Sequence, residues 1–307
     1  MRPSALTLLF AAASLVQAAP TSLHARAADI PQSELSTFEF WVQYAAAAYC
    51  HDSYAAQTPH KITCWAGNCP HVEANGATSV FDFSNSTITD TSGYLATDDV
   101  RKAVVLAFRG SYSARNWIAD VEFPFTDPGL CDGCSAELGF WTSWTNVRDS
   151  VMENLKETMA ANPDYQLVVV GHSLGAAVAT LAAADLRTKG YPSATVYAFA
   201  SPRVANPALA TFITDQGNNY RFTHTNDPVP KLPLLAMGYV HVSPEYWITA
   251  PNNDTSVTTN QVQVLQGEVN WNGNTGTGPP NPFDFAAHHW YFEEADGCIG
   301  PGIPLKV

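Results

Sequence analysis

The sequence carries few charges, and its basic residues are outnumbered by acidic ones. Charged residues make up 14% of the 307 positions, with 15 Lys and Arg against 28 Asp and Glu and a formal charge of -13. An acidic protein repels a phosphate backbone, so this composition argues against nucleic-acid binding. The 46% of hydrophobic residues are enough for a packed core and exclude an intrinsically disordered chain.

Long hydrophobic runs are also lacking. Beyond the N-terminus, no window reaches the roughly 18 consecutive apolar residues that a membrane-spanning helix needs. The N-terminus itself is typical of a secretory signal, with a positive start at Arg2, an apolar stretch over 5–16 and a small residue, Ala18, at the cleavage position. We therefore predict a secreted, extracellular protein. The predicted segments are a signal peptide over 1–18, a short propeptide or unstructured tail over 19–26, and one domain over 27–307.

Six cysteines follow the predicted signal peptide, and an even count in a secreted chain indicates disulfide bonds. Two close pairs would each close a small loop, which leaves the first and last cysteines to join the two ends of the fold. A zinc site built on Cys131 and Cys134 is the alternative, but an oxidising compartment disfavours it. Asn85 and Asn253 begin sequons for N-glycosylation in a eukaryotic host. The predicted bonds are Cys64 with Cys69, Cys131 with Cys134, and Cys50 with Cys298.

Strands alternate with helices along the middle of the chain, which predicts an α/β fold with a mostly parallel sheet covered on both faces. Apolar, β-branched runs indicate the strands, and apolar residues at helical spacing indicate the helices. The predicted strands are 101–108, 165–170, 194–200 and 220–225, and the predicted helices are 143–161 and 173–186.

The strand over 165–170 runs into GHSLG at 171–175 and then directly into a helix. This is the G-x-S-x-G pattern in the strand-turn-helix context of a nucleophilic serine. Glycines must flank the serine because the sharp turn brings the chain close to neighbouring backbone. We predict Ser173 as the nucleophile, and the backbone N–H of Leu174, at the helix start, as a donor to an oxyanion. His172 is expected to pack beneath the turn.

A serine nucleophile needs a histidine base and an acid that orients the base. In this arrangement, the acid and the histidine follow the serine in that order along the chain. Asp227 fits the acid, because it follows the last predicted strand and precedes a Pro-rich turn. His224 precedes the acid, and His241 lies in a segment expected to be packed. The base is therefore His288 or His289, and spacing alone leaves both open. The other downstream acids are Asp185, which lies mid-helix, and Asp215, Asp254 and Asp284, which lie in polar segments expected to lack regular structure.

These motifs resemble the secreted class 3 lipases of filamentous fungi, a family related to feruloyl esterases. The resemblance covers about residues 38–298 and implies an α/β-hydrolase fold with a short helical lid, together with the three disulfide bonds above. Ala176 departs from a glycine common in the family, and the tail over 299–307 is longer than in several relatives. The segments that carry the resemblance are YAAAAYC at 44–50, FRGS at 108–111, NWI at 116–118, PDY at 163–165, GHSLG at 171–175, THTND at 223–227 and SPEYW at 243–247.

The resemblance also implies two assignments in the site. In the family, the base is the histidine of H-x-x-Y-F, which falls here on His288, with Tyr291 and Phe292 completing the motif. The family further implies an oxyanion hole formed by Ser111 together with Leu174. Ser111 suits this role, because it follows an early strand whose end would reach the same sheet edge as the serine.

The segment over 113–123 resembles a lipase lid. As a short amphipathic helix, it would place Trp117 and Ile118 on one side and Arg115 and Asn116 on the other. Its apolar side would cover the serine when closed and turn onto lipid at an oil–water interface. A permanently packed surface helix is the alternative.

We therefore predict a secreted, monomeric triacylglycerol lipase that hydrolyses acylglycerols at the lipid–water interface through an acyl-enzyme, with phospholipids as further substrates. This chemistry calls for no metal or organic cofactor. A feruloyl or short-chain carboxylesterase is the alternative, which the apolar Trp117 and Ile118 disfavour. An inactive hydrolase-fold binding protein is the non-enzyme alternative, and it would have a broken triad, whereas the sequence retains all three residue types.

Overall fold

The computed structural model describes residues 29–50, 58–84, 89–111, 123–254, 256–281 and 285–299. Some of the predicted features lie outside these ranges. They are the signal peptide over 1–18, the propeptide over 19–26, the sequon at Asn85, the acid Asp284, and the lid residues Arg115, Asn116, Trp117 and Ile118.

A mostly parallel sheet is the framework on which the site is built. The described strands are β1 (His60–Lys61), β2 (Thr78–Ser84), β3 (Ser92–Asp98), β4 (Ala103–Phe108), β5 (Phe125–Thr126), β6 (Ala136–Glu137), β7 (Gln166–His172), β8 (Thr195–Phe199), β9 (Asn219–His224), β10 (Glu245–Ile248) and β11 (Val262–Leu265). Nine of them form one sheet in the order β1-β2-β3-β4-β7-β8-β9-β10-β11, and β5 pairs with β6. The neighbours from β4 to β10 run parallel, and the outer strands run antiparallel.

The register of the central strands brings their carboxyl ends to one edge of the sheet. β7 is an apolar, β-branched strand buried on both faces, as a strand between two helical layers must be. Phe108 at the end of β4 lies opposite Gly171, and His172 at the end of β7 lies opposite Phe199 at the end of β8. Residues that follow these strands therefore meet at the same edge.

Helices cover both faces of this sheet, as the sequence predicts. The described helices are α1 (Gln32–Cys50), α2 (Pro70–Asn75), α3 (Leu138–Ala161), α4 (Leu174–Thr188), α5 (Pro207–Asp215) and α6 (Ala286–His289). On one face, Phe38 of α1 packs its ring 4.7 Å from that of Phe222. On the other face, Trp144 of α3 packs against Phe108 and donates from Nε1 to Asp185 of α4 at 2.9 Å.

Two predictions of secondary structure need correction. The helix predicted over 143–161 begins earlier, at Leu138, because Glu137 caps it by accepting a hydrogen bond from the Phe140 backbone N–H. The expectation that Asp215 lies in an irregular segment is wrong, because Asp215 ends α5. Asn206 caps that helix and Pro207 occupies its first turn, which are both ordinary start signals.

Three disulfide bonds cross-link the described parts of the chain. They join Cys64 to Cys69, Cys131 to Cys134, and Cys50 to Cys298, the same pairs that the sequence predicts. The third bond connects the end of α1 to the last described turn. Among the described residues, none of the helices is both long enough and apolar enough to cross a membrane.

Candidate active site

The turn between β7 and α4 holds Ser173 in a strained backbone conformation. Its φ of 59° and ψ of -130° lie in a region that residues with a side chain seldom adopt. A Cβ at Gly171 would lie 2.3 Å from the carbonyl oxygen of Gly175, and a Cβ at Gly175 would lie 2.3 Å from the carbonyl oxygen of Phe108. Both obstacles are backbone atoms, so both positions require glycine.

Three side chains from separate parts of the chain meet beside this turn. His288 Nε2 lies 2.9 Å from Ser173 Oγ, and His288 Nδ1 lies 3.0 Å from Asp227 Oδ2 and 3.1 Å from Oδ1. All three residues are buried. His288 is thus within hydrogen-bond reach of Ser173 on one side and of Asp227 on the other, which is the geometry required to activate a serine.

The neighbouring histidine points elsewhere. His289 Nδ1 lies 2.6 Å from Asp296 Oδ2, and its side chain is half exposed. The hydrogen bond to Asp296 raises the pKa of His289 above its ordinary value, although burial opposes the shift. Of the two candidates that spacing left open, His288 is therefore the one in contact with Ser173 and Asp227.

Asp227 is held as a carboxylate by several donors. Burial alone would raise its pKa, but attraction to His288 and hydrogen bonds from His288, Tyr291 and Val229 together lower it. The Tyr291 hydroxyl donates to Asp227 Oδ2 at 2.6 Å, and the Val229 backbone N–H donates to Oδ1 at 2.9 Å. Asn274 Nδ2 donates to the Asp227 carbonyl at 2.9 Å. Tyr291 belongs to the H-x-x-Y-F motif, whereas no sequence signal marks Asn274.

The predicted oxyanion donors lie next to the serine turn. Leu174 is the first residue of α4, where backbone N–H groups have no partner within the helix. Ser111 comes three residues after Phe108, whose β4 end is paired with Gly171. Gly110 lies so close to the turn that a Cβ there would be 2.7 Å from the His172 carbonyl oxygen. The end of β4 therefore lies against the same turn as Ser173.

Two further histidines, His172 and His224, are buried near His288. His172 packs under the turn, with its ring centroid 4.7 Å from that of His288. Burial and the proximity of His288 lower the pKa of His172 to about 4, so its ring is neutral at neutral pH. His224 ends β9 and is fully buried.

The remaining predicted features are the second sequon, the lid and a possible metal site. Asn253, which begins the second sequon, is exposed in a turn, and the lid residues lie outside the described ranges. Within the described parts of the chain, Cys64, Cys69 and Glu73 form the one group of clustered metal-type ligands, and its two sulfurs are joined in a disulfide.

The fold and the site together define a class of protein. A mostly parallel sheet with helices on both faces carries a serine on a strained strand-to-helix turn. An acid and a histidine then follow in that order and reach the same sheet edge. This is the α/β-hydrolase class.

Comparison with known proteins narrows the class to one family. A family model described as lipase (class 3) matches residues 105–237, and a model of the lipase 3 N-terminal region matches residues 4–79. The chain belongs to the class 3 lipase family, as the resemblance predicted, and it is a lipase.

Individual relatives are similar over most of their length. The secreted mono- and diacylglycerol lipase A of Penicillium cyclopium is 65% identical over 306 residues, covering 100% of this chain and 99% of the relative. The secreted mono- and diacylglycerol lipase 1 of Fusarium solani is 40% identical, covering 97% of this chain and 89% of the relative. The crystal structure of a mono- and diacylglycerol lipase from Aspergillus oryzae matches with a TM-score of 0.84 and 62% identity, covering 87% of this chain and 100% of that one.

Proposed function

We propose that this chain is a secreted serine lipase that acts on mono- and diacylglycerols through Ser173, His288 and Asp227. The observation that carries the proposal is the hydrogen-bonded series from Ser173 Oγ to His288 and from His288 to Asp227, buried at one edge of the sheet. The names of the relatives from Penicillium and Fusarium support the substrate class.

Each atom of the series has a step in ester hydrolysis. Ser173 Oγ attacks the ester carbonyl carbon while His288 Nε2 takes its proton. His288 then gives the proton to the departing glycerol oxygen, leaving an acyl-serine. A water molecule, deprotonated by His288, attacks the acyl carbon. The bond from that carbon to Ser173 Oγ then breaks, His288 returns the proton to Oγ, and the fatty acid is released. Asp227 orients the ring and stabilises its charged form throughout.

The remaining assignments complete this mechanism. The backbone N–H of Leu174 and Ser111, with the Ser111 hydroxyl, stabilise the tetrahedral oxyanion. The segment with Arg115, Asn116, Trp117 and Ile118 serves as a lid that opens at a lipid–water interface.

The proposal extends to the processing of the chain. Residues 1–18 direct secretion, residues 19–26 are removed, and residues 27–307 form one monomeric domain. Glycans attach at Asn85 and Asn253 in a eukaryotic host. Three disulfide bonds are in keeping with an oxidising, extracellular setting.

The test compares hydrolysis rates for dioctanoylglycerol, trioctanoylglycerol and methyl ferulate across the solubility limit of each lipid. We expect the rate on dioctanoylglycerol to rise steeply once an emulsion forms, to exceed the rate on the other two, and to vanish in Ser173→Ala. Faster turnover of trioctanoylglycerol would change the substrate class. Smooth saturation below the solubility limit with rapid ferulate turnover would instead assign a soluble-ester esterase.

A further inference from the structure

We propose that two buried histidines, His172 and His224, are positioning residues that hold the backbone on either side of the catalytic base. His172 Nε2 lies 2.9 Å from the carbonyl oxygen of His288, and His224 Nδ1 lies 3.0 Å from the carbonyl oxygen of Ala287. The inference rests on the proposed triad, in which His288 is the base.

His288 lies on a helix that is too short to be stable without contacts from other elements. α6 spans four residues, and the last four carbonyl groups of any helix lack partners within the helix. An isolated turn of this length is also unstable in water. Yet His288 must keep its two ring nitrogens aligned with Ser173 and Asp227 at the same time. The backbone of α6 therefore needs anchors supplied by other elements.

His172 supplies one anchor from the serine turn itself. Its ring is neutral at neutral pH and carries a single N–H. The Tyr49 hydroxyl lies 2.9 Å from His172 Nδ1. When that hydroxyl donates to Nδ1, the proton of His172 resides on Nε2 and points at the His288 carbonyl oxygen. Tyr49 thus selects the tautomer that lets His172 hold the base.

His224 supplies the second anchor from the end of β9. Its Nδ1 faces the Ala287 carbonyl oxygen, and its Nε2 lies 2.8 Å from the carbonyl oxygen of Ala250. Both neighbours are carbonyl acceptors and a neutral ring carries one N–H, so the hydrogen bond to α6 forms in the tautomer with its proton on Nδ1. Both histidines are fully buried, and the Tyr291 ring contacts each of them at centroid distances of 5.7 and 5.8 Å.

The two histidines use different ring nitrogens toward α6, and a role in packing alone would not depend on which nitrogen is used. His172 reaches α6 through Nε2, whereas His224 reaches it through Nδ1. Glutamine can place an amide N–H near the Nε2 position of histidine, and asparagine near the Nδ1 position. The same pair of substitutions should therefore have opposite effects at the two sites.

The experiment measures kcat and KM of four variants on p-nitrophenyl butyrate below its solubility limit. His172→Asn and His224→Gln remove the donor toward α6, and we expect each to lower kcat by about 10-fold or more with KM within about twofold. His172→Gln and His224→Asn keep that donor, and we expect them to recover most of the lost kcat. Melting temperatures, measured in parallel, should not follow this crossed pattern.

Two controls separate this inference from the proposed function. If Ser173→Ala or His288→Ala keeps wild-type activity, the triad itself is wrong. If both abolish activity while Asn and Gln behave alike at 172 and at 224, the triad stands and the positioning role is overturned. A loss of kcat that simply tracks the loss of melting temperature would also overturn it.

Discussion

Removing the Tyr291 hydroxyl tests how strongly the site depends on a fixed carboxylate. Tyr291→Phe deletes the donor that lies 2.6 Å from Asp227 Oδ2, and both residues are fully buried. A hydrogen bond to a charged group contributes about 1.5–3 kcal/mol, and it is not replaced by solvent here. Since about 1.4 kcal/mol corresponds to a tenfold change in rate, we expect kcat/KM to fall between about 10-fold and about 100-fold.

The same substitution should change the pH dependence. The Tyr291 hydroxyl is one of the groups that lower the pKa of Asp227, so its removal raises that pKa. A depressed carboxyl pKa contributes stability above the ordinary value of 3.8 and loses it as the pH falls through the folded value. We therefore expect the acid limb of both activity and stability to move to higher pH in Tyr291→Phe.

The assay is p-nitrophenyl butyrate hydrolysis from acid to neutral pH, with active sites counted by a phosphonate. Tyr94→Phe is the matched control. The Tyr94 hydroxyl is buried and donates to the Tyr44 carbonyl oxygen at 2.7 Å, and the residue belongs to β3, which β4 separates from β7. This substitution should lower stability and leave kcat unchanged. Equal kcat/KM and equal acid limbs for Tyr291→Phe and the wild type would refute the reasoning.

Three other perturbations follow from the fold and its buried groups. Gly175→Ala places a Cβ against the Phe108 carbonyl oxygen, so we expect soluble yield and esterase activity to fall at least about 100-fold. Retention of both would show that the backbone of the turn can move to accept a side chain. Burial and the charge of Glu39 raise the pKa of Glu293 to about 9. The folded protein therefore keeps a proton that the unfolded chain, with the ordinary carboxyl pKa of 4.5, has already lost. The free energy of unfolding consequently falls as the pH rises from the unfolded pKa to the folded pKa. Glu293→Gln should therefore reduce the loss of melting temperature from about pH 5 to about pH 8, and an unchanged slope would rule this out. The bond from Cys50 to Cys298 spans 248 residues of sequence. Its replacement by two serines should lower the free energy of unfolding in guanidinium by about 2–5 kcal/mol. An unchanged unfolding midpoint would contradict this prediction.

The parts of the fold that sequence reasoning reached are those with local signals. β7 and α4 stand on either side of a glycine-flanked serine, and Asp227 follows a strand and precedes prolines. α1 was missed because its residues from Phe40 to Cys50 are buried all round, so it has no polar stripe to mark a helix. Amphipathic spacing identifies only those helices that keep one face in water.

Site residues that depend on distant contacts were out of reach. Spacing alone leaves His288 and His289 equivalent, because the path of the chain after residue 285 decides which ring meets Asp227, and only the resemblance to the family points to His288. Asn274 braces the Asp227 carbonyl across 47 positions of sequence, and no local pattern marks such a residue. The position of His224 before the acid excludes it as the base and carries no information about a positioning role.

The central claim is that Ser173 is the nucleophile activated by His288, and covalent capture tests it most directly. A p-nitrophenyl alkylphosphonate incubated with the protein should release one p-nitrophenolate per chain, and peptide mass spectrometry should place the adduct on Ser173. Labelling should be absent in Ser173→Ala and slowed at least about 100-fold in His288→Ala. An adduct on another residue, or continued hydrolysis of dioctanoylglycerol by Ser173→Ala, would contradict the account.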